Sequence, residues 1–171
     1  MKSVHVFPDS EELAEEIARS WCEQVKMAVN NCGTFSVVLS VGSQDPALYG
    51  RLTEHKWRGR IPWESVHIFF ADERCVPPGD EESNYKMICG HLLSHIPIPE
   101  KNIHRMRGED DPIEESFRYA EEIQNHLVLK RRRVFDDRSQ CQAVPQEVLE
   151  HVGDKGRLLF QKFRKKFFYF R

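Results

Sequence analysis

No run of apolar residues in this chain of 171 approaches the roughly 18 that a membrane-spanning helix needs, so no spanning helix is expected. The N-terminus, MKSVHVFPDSEEL, turns acidic within a dozen residues and offers neither a long apolar stretch nor a small-residue cleavage site. That speaks against a signal peptide. The five cysteines (Cys22, Cys32, Cys75, Cys89, Cys141) form no CxxC pair and are odd in number. They suit a reducing compartment better than a disulfide framework or a zinc site, and a cytoplasmic location is expected. No recognisable nucleic-acid-binding motif occurs. What is present is ordinary globular material, 40% hydrophobic and 30% charged, enough for one domain with a sizeable core.

The net charge of −2 conceals a break along the chain. Residues 130–171 hold 12 Lys/Arg against 5 Asp/Glu, a balance of +7, whereas residues 1–129 hold 13 against 22, a balance of −9. Segments so different in charge are read separately.

In the acidic segment, Ser3–Phe7 alternates like an edge strand. Asp9 followed by Glu12 has capping-box spacing, and Leu13, Ile17, Trp21, Val25 and Ala28 recur along one face up to Gly33. This predicts an amphipathic helix of about six turns. Thr34–Ser40 is a compact β-branched run and reads as a buried strand. Pro46 suits the first turn of a second helix capped by Ser43 or Asp45, with Leu48, Tyr49 and Leu52 inward. Val66–Ala71 is a second apolar strand, Ser83–Ser94 a helix, Ile103–Met106 a short extended piece, and Pro112–His126 a helix with Ile113, Phe117, Ala120 and Ile123 on its apolar face. Buried strands alternating with amphipathic helices imply an α/β fold, a Rossmann-like parallel sheet with helices on both faces.

Ligands of such sheets bind beyond the C-terminal strand ends, which singles out two loops. The first, Ser40–Pro46, runs from a strand into a helix N-terminus; Gly42 permits close backbone approach and Ser43 adds a hydroxyl, as a phosphate site would need. It reads equally as an ordinary turn with a Ser cap. The second, Asp72–Pro78, sets three consecutive charges directly after an apolar strand. Arg74 offers a planar fork for phosphate or carboxylate, and Asp72 or Glu73 can bind sugar hydroxyls or orient Arg74. A solvated loop with an internal ion pair is the alternative. Ser83-Asn84-Tyr85 reads locally as a helix cap, and His104 and Arg107 as surface residues.

The succession Ser40-Val-Gly-Ser43, Pro46-Ala-Leu-Tyr49, Ile61-Pro-Trp63, Val66-His-Ile-Phe-Phe-Ala-Asp-Glu-Arg-Cys-Val-Pro77, Ser83-Asn-Tyr85, Ile96-Pro-Ile-Pro99 and Asn102-Ile-His-Arg-Met-Arg-Gly-Glu109 resembles the 6-phosphogluconolactonase family over about residues 3 to 136. The related glucosamine-6-phosphate deaminases typically have Asp-Glu-Tyr where this chain has Asp72-Glu73-Arg74, and they lack Asn84. The resemblance implies hydrolysis of 6-phosphoglucono-lactone to 6-phosphogluconate in the pentose phosphate pathway, on a small-molecule sugar-phosphate substrate, with no metal and no organic cofactor. It also implies that Gly42 and Ser43 belong to a phosphate loop, and that Arg74 and Asp72 line the sugar-phosphate pocket.

The chain leaves the family's pattern twice. Its first loop has Val41 in place of a Gly, one additional residue before Pro46, and an anionic Asp45. The family has a strand beginning much like Val134-Phe135-Asp136 and continues it into Asp-Gly-His, which supplies the general base; that motif does not occur here, and no base is named. The nearest string, Gly153-Asp154-Lys155-Gly156-Arg157, has Arg157 where a His is wanted, and His151 is the neighbouring candidate. Residues 1–136 are therefore read as the N-terminal part of a truncated domain and 137–171 as a divergent basic, aromatic tail. The break in composition fits a frameshift, an alternative splice or a premature end; a genuine binding tail and an unfamiliar structured ending are the alternatives. Gln161–Arg171 interleaves five cations with five aromatics, a pattern that binds nucleic acid or an anionic surface. A sheet cut midway is expected to self-associate unless the tail covers its edge. The alternative function is a non-catalytic sugar-phosphate- or partner-binding remnant.

Overall fold

The structure, a computed structural model, describes residues 6–41 and 45–135 and three short strands at 152–153, 157–159 and 168–169; side chains are described as far as residue 126, Asp45 excepted. The expected edge strand is not seen at Val6 and Phe7, and its remaining residues lie outside the described ones. The first helix, α1, runs Ser10–Cys32: the Asp9 carboxylate accepts from the Glu12 amide at 2.9 Å, and Gly33 ends it at φ 74°. A left-handed stop of this kind is where glycine costs least. The expected Trp21 and Val25 are buried and Ile17 and Ala28 pack beside them, so the inward stripe is as read except at Leu13, and it is widened by Ala14, Ala18 and Cys22. Ala14, Ala18, Trp21, Cys22 and Val25 face inward while Leu13 stays exposed.

Strand β1 (Phe35–Leu39) is followed by α2 (Asp45–Thr53), so Asp45 is the first helical residue rather than a cap. A one-turn helix, α3 (His55–Arg58), leads to β2 (Val66–Phe70). Asp72–Arg74, expected as loop, is a short strand, β3. Then come α4 (Asn84–His91), β4 (Ile103–His104) and α5 (Pro112–Phe135). The family resemblance placed the start of a strand at Val134–Asp136; the chain is helical there as far as Phe135. The last pieces are β5 (Val152–Gly153), β6 (Arg157–Leu159) and β7 (Phe168–Tyr169).

One sheet has the order β4-β2-β1-β7. β1 and β2 pair in parallel from Phe35↔Val66 to Leu39↔Phe70, and β4 joins β2 in parallel; β7 lies antiparallel along β1. The second sheet, β3-β6-β5, is antiparallel. The parallel α/β sheet is thus as read from the sequence, and β7 adds one antiparallel edge to it.

Strand alternation divides the core by face. Phe35, Val37, Leu39, Val66, Ile68 and Phe70 point to one side and join α1, α2 and α4 in the main core. Phe69 points to the other, where Met106 and Tyr119 of the α5 side meet it, with Val38 and Ile123 packed against them. Helices do cover both faces. Of the apolar stripe expected on α5, Ile123 packs inward as read, but Ile113 and Phe117 are exposed, and Glu115 and Tyr119 are buried instead. Two polar side chains take the inward positions because each finds partners there, as shown below. No helix among the described residues is long and apolar enough to cross a membrane. Cys22, Cys75 and Cys89 are free thiols, whereas Cys32 is disulfide-bonded, a bridge that the cysteine spacing did not lead us to expect.

Candidate active site

β2 delivers the chain to the C-terminal edge of the parallel strands, and its exit is pinned. The Tyr119 hydroxyl accepts from the Phe70 amide at 2.8 Å, and its own proton faces the Phe70 and His104 carbonyls at 3.2 and 3.1 Å. One buried phenol therefore ties the ends of two parallel strands. On the neighbouring strand, the Tyr49 hydroxyl donates to the Ser40 carbonyl at 2.7 Å and anchors the start of the first candidate loop to α2.

Beyond β2, the period of two in β3 sorts the three charges. Asp72 and Arg74 are half-buried, with Arg74 Nη1 3.9 Å from Asp72 Oδ2, and Glu73 points the other way, into the protein. The Glu73 carboxylate is fully surrounded by donors. Its Oε1 accepts from the Arg74 and Asn84 amides at 2.8 and 2.7 Å, and its Oε2 from the Tyr85 amide at 2.9 Å and the Ser83 hydroxyl at 3.2 Å. A buried carboxylate is tolerated on these terms, with charge-assisted bonds at a helix N-terminus whose dipole favours a negative group.

Ser83 also caps α4 in the expected way, its Oγ accepting from the Lys86 amide at 3.2 Å. Asn84 does more than start the helix. Its side-chain amide donates to the Asp72 carbonyl at 2.9 Å and to Asp72 Oδ2 at 3.1 Å, so Asp72 is held from two directions. The sequence Asp-Glu-Arg and the sequence Ser-Asn-Tyr are one hydrogen-bonded unit.

Reading the sequence for charges missed Glu73 as the organiser of this unit. It also missed Gly108. A Cβ there would stand 2.1 Å from the Arg74 carbonyl oxygen and 2.7 Å from that of Val76, so only glycine lets this turn lie against the strand that presents Arg74. The usable signal was a lone Gly in an otherwise charged Arg107-Gly-Glu109 turn. Arg105 stacks its guanidinium over Tyr85 at 5.7 Å and pairs with Glu109, which holds the Glu109 carboxyl down at about 2. Arg107 is exposed, as expected. His104 is not a surface residue: it stacks on Phe69 at 4.2 Å, and its Nδ1 lies 2.6 Å from Glu122 Oε1.

Of the four predicted site residues, the structure brings Asp72 and Arg74 together. Gly42 and Ser43 lie outside the described residues, as does His151. An open groove of about 490 Å³ on α1, lined by Glu11, Glu12, Glu15, Glu16 and Arg51, is far too acidic for an anionic ligand and lies apart from this edge.

The family model described as glucosamine-6-phosphate isomerases/6-phosphogluconolactonase matches residues 8–137. The chain belongs to this family. Over 119 residues it is 35% identical to the 6-phosphogluconolactonase of Haemophilus influenzae, a match covering 68% of this chain and 49% of that protein. It is 40% identical over 97 residues to the human GDH/6PGL endoplasmic bifunctional protein, covering 57% of this chain and 12% of the relative. Among solved structures, the crystal structure of devB protein superposes with a TM-score of 0.59 at 32% identity, over 68% of this chain and 48% of that one. The 6-phosphogluconolactonase of Thermotoga maritima has the same fold, with a TM-score of 0.64 at 24% identity over 71% of this chain and 53% of that one. The chain thus spans about half the length of the bacterial lactonase it matches.

Proposed function

We propose that this chain carries the sugar-phosphate-gripping part of a 6-phosphogluconolactonase and takes 6-phosphoglucono-lactone, or its product 6-phosphogluconate, as ligand. The observation that supports the reading best is the Asp72–Arg74 pair, offered side by side at the sheet's C-terminal edge and braced by Glu73 and Asn84. In this reading Arg74 meets the anionic end of the ligand with its guanidinium, Asp72 accepts from sugar hydroxyls, and Gly42 and Ser43 supply donors to the phosphate. Hydrolysis further needs a base for the attacking water and donors for the developing oxyanion. No group is assigned to either task.

A second reading, binding without turnover, is favoured by one observation: the 171 residues contain no Asp-Gly-His. The two separate in one experiment. Hydrolysis of freshly generated lactone is measured against the spontaneous rate, and binding of 6-phosphogluconate by calorimetry, for the chain and for Arg74→Ala. Turnover lost in the variant supports the lactonase; binding lost in the variant without turnover in either supports the second reading. Binding unchanged in Arg74→Ala would sink both.

A cytoplasmic location goes with this reading; the free thiols of Cys22, Cys75 and Cys89 support it, and the bridged Cys32 does not. Self-association is proposed too, with the sedimentation behaviour of the purified chain as its check, although β7 lies along the outer edge of β1 and leaves less edge to carry it.

A further inference from the structure

On the face of the sheet opposite the main core, two neighbouring strands and α5 bring polar rings together. His67 of β2, His104 of β4 and His126 of α5 each present a ring nitrogen, and the three nitrogens lie within 4.8 Å of one another. All three rings are half-buried, and no carboxylate or thiolate completes the group among the described residues. The family resemblance implied no metal; positions 67, 104 and 126 have no ligand spacing and meet only through the topology β4-β2-β1 under α5.

The arrangement around the rings favours a cation over a merely packed cluster. His104 Nδ1 lies 2.6 Å from Glu122 Oε1, so Nδ1 carries the proton and Nε2 keeps its lone pair. That lone pair faces His67 Nδ1 at 3.1 Å. Two imidazole nitrogens on one tetrahedral zinc, with Zn–N bonds of roughly 2.0–2.1 Å, stand about 3.3–3.4 Å apart. The observed gap is thus nearly that of two ligands sharing an ion. Glu122 is in turn held by Arg118, and Ser36, on the adjacent strand, sits 2.8 Å from His126 Nε2. A carboxylate that orients a histidine from its far side, and a further residue that fixes the carboxylate, is how metal-binding imidazoles are built.

We propose that His67, His104 and His126 form a site for a borderline-soft divalent cation, Zn²⁺ in the first instance, with Glu122 as its orienting carboxylate. The fourth position is open to water. The ion joins β2 and β4 to the middle of α5, and its binding is therefore coupled to the stability of that helix on the sheet. The site is distinct from the Asp72–Arg74 edge and does not depend on the lactonase reading.

The test uses the untagged, metal-stripped full chain titrated with Co²⁺ and then with Zn²⁺. Expected are the visible bands of a tetrahedral cobalt site at one equivalent, their loss on addition of Zn²⁺, and a rise in melting temperature with Zn²⁺. His126→Gln, at a half-exposed position, abolishes the bands. Glu122→Gln leaves the three ligands in place and weakens uptake by about 10–100-fold. Circular dichroism without metal checks that each variant is folded. Absence of saturable uptake by the folded chain would overturn the proposal. So would uptake that neither substitution changes, which assigns the ion to other histidines, or a thiolate-to-cobalt absorption, which assigns it to cysteine.

Discussion

The Glu73 carboxylate and the Asn84 amide nitrogen stand 2.7 Å apart, and through that bond the strand bearing Asp72 and Arg74 is continuous with the first turn of α4. The geometry of the proposed site is set by a residue that points away from it. A ligand reaching Arg74 meets a side chain whose backbone is already fixed, which is the condition for binding without a large ordering penalty.

The first prediction concerns that carboxylate. Glu73→Gln keeps the shape but turns an NH₂ toward donors that the second oxygen satisfied. Leaving buried donors unmet costs about 1–3 kcal/mol, which is the loss expected in urea denaturation. On the proposed function, affinity for 6-phosphogluconate falls with it, because Asp72 and Arg74 lose their frame. Unchanged stability would mean that the carboxylate is dispensable to the unit.

Gly108 offers a sharper contrast. In Gly108→Ala the new methyl meets two backbone carbonyls, which cannot rotate out of the way as a side chain would. We expect a loss of about 1–3 kcal/mol from overpacking, together with weaker ligand binding through displacement of Arg74. Gly79→Ala, where nothing lies within 4 Å, is the control and leaves both quantities unchanged. Equal behaviour of the two variants in denaturation and calorimetry would contradict this account.

Acid should weaken the fold in a definite order. Glu109 is held at about 2 by the hydrogen bond from Arg105, and Glu122 is held below its ordinary range by His104 first and Arg118 after it. A carboxyl whose folded value is depressed stabilises above its unfolded value, near 4.5 here, and that contribution disappears as pH falls toward the folded value. Stability should therefore be flat just above pH 4.5 with respect to these pairs and decline below it. Both are partly solvent-exposed, so the loss is shallow. In Arg105→Gln the decline attributable to Glu109 is absent, as a set of urea curves between pH 2 and 6 will show.

Packing predicts a large asymmetry between two apolar positions. Ile68 lies in the middle of the main core and is fully buried, so Ile68→Ala is expected to cost about 2–5 kcal/mol. Phe117 is 72% exposed, and Phe117→Ser is expected to stay within about 0.5 kcal/mol. Thermal melts of the two variants decide this; a large effect at Phe117 would reveal a partner surface.

How far the molecule was legible in its sequence depended on whether the deciding signal was local. The capping of α1 by Asp9, its stop at Gly33 and the two parallel strands follow from near neighbours and hydrophobic period, and the structure has them. So does the placement of Asp72 and Arg74 at a strand end. The inward side of α5 was misread because Glu115 and Tyr119 are buried for non-local reasons: Glu115 accepts from the Arg107 amide at 2.9 Å and pairs with Arg118, and Tyr119 bonds to β2 and β4. His104 was misjudged for the same cause, since its carboxylate and its stacking ring come from elsewhere in the chain. Polar residues that are satisfied at a distance look, along the sequence, like surface.

The phenol of Tyr119 makes the molecule its own optical gauge. Burial among backbone carbonyls pushes its ionisation far above that of an exposed tyrosine. In alkali the ring stays colourless at tyrosinate wavelengths for as long as the junction of β2, β4 and α5 remains shut. Its signal thus arrives late and abruptly, timed by the parting of helix from strands rather than by the acidity of the phenol, and it registers that event without any label.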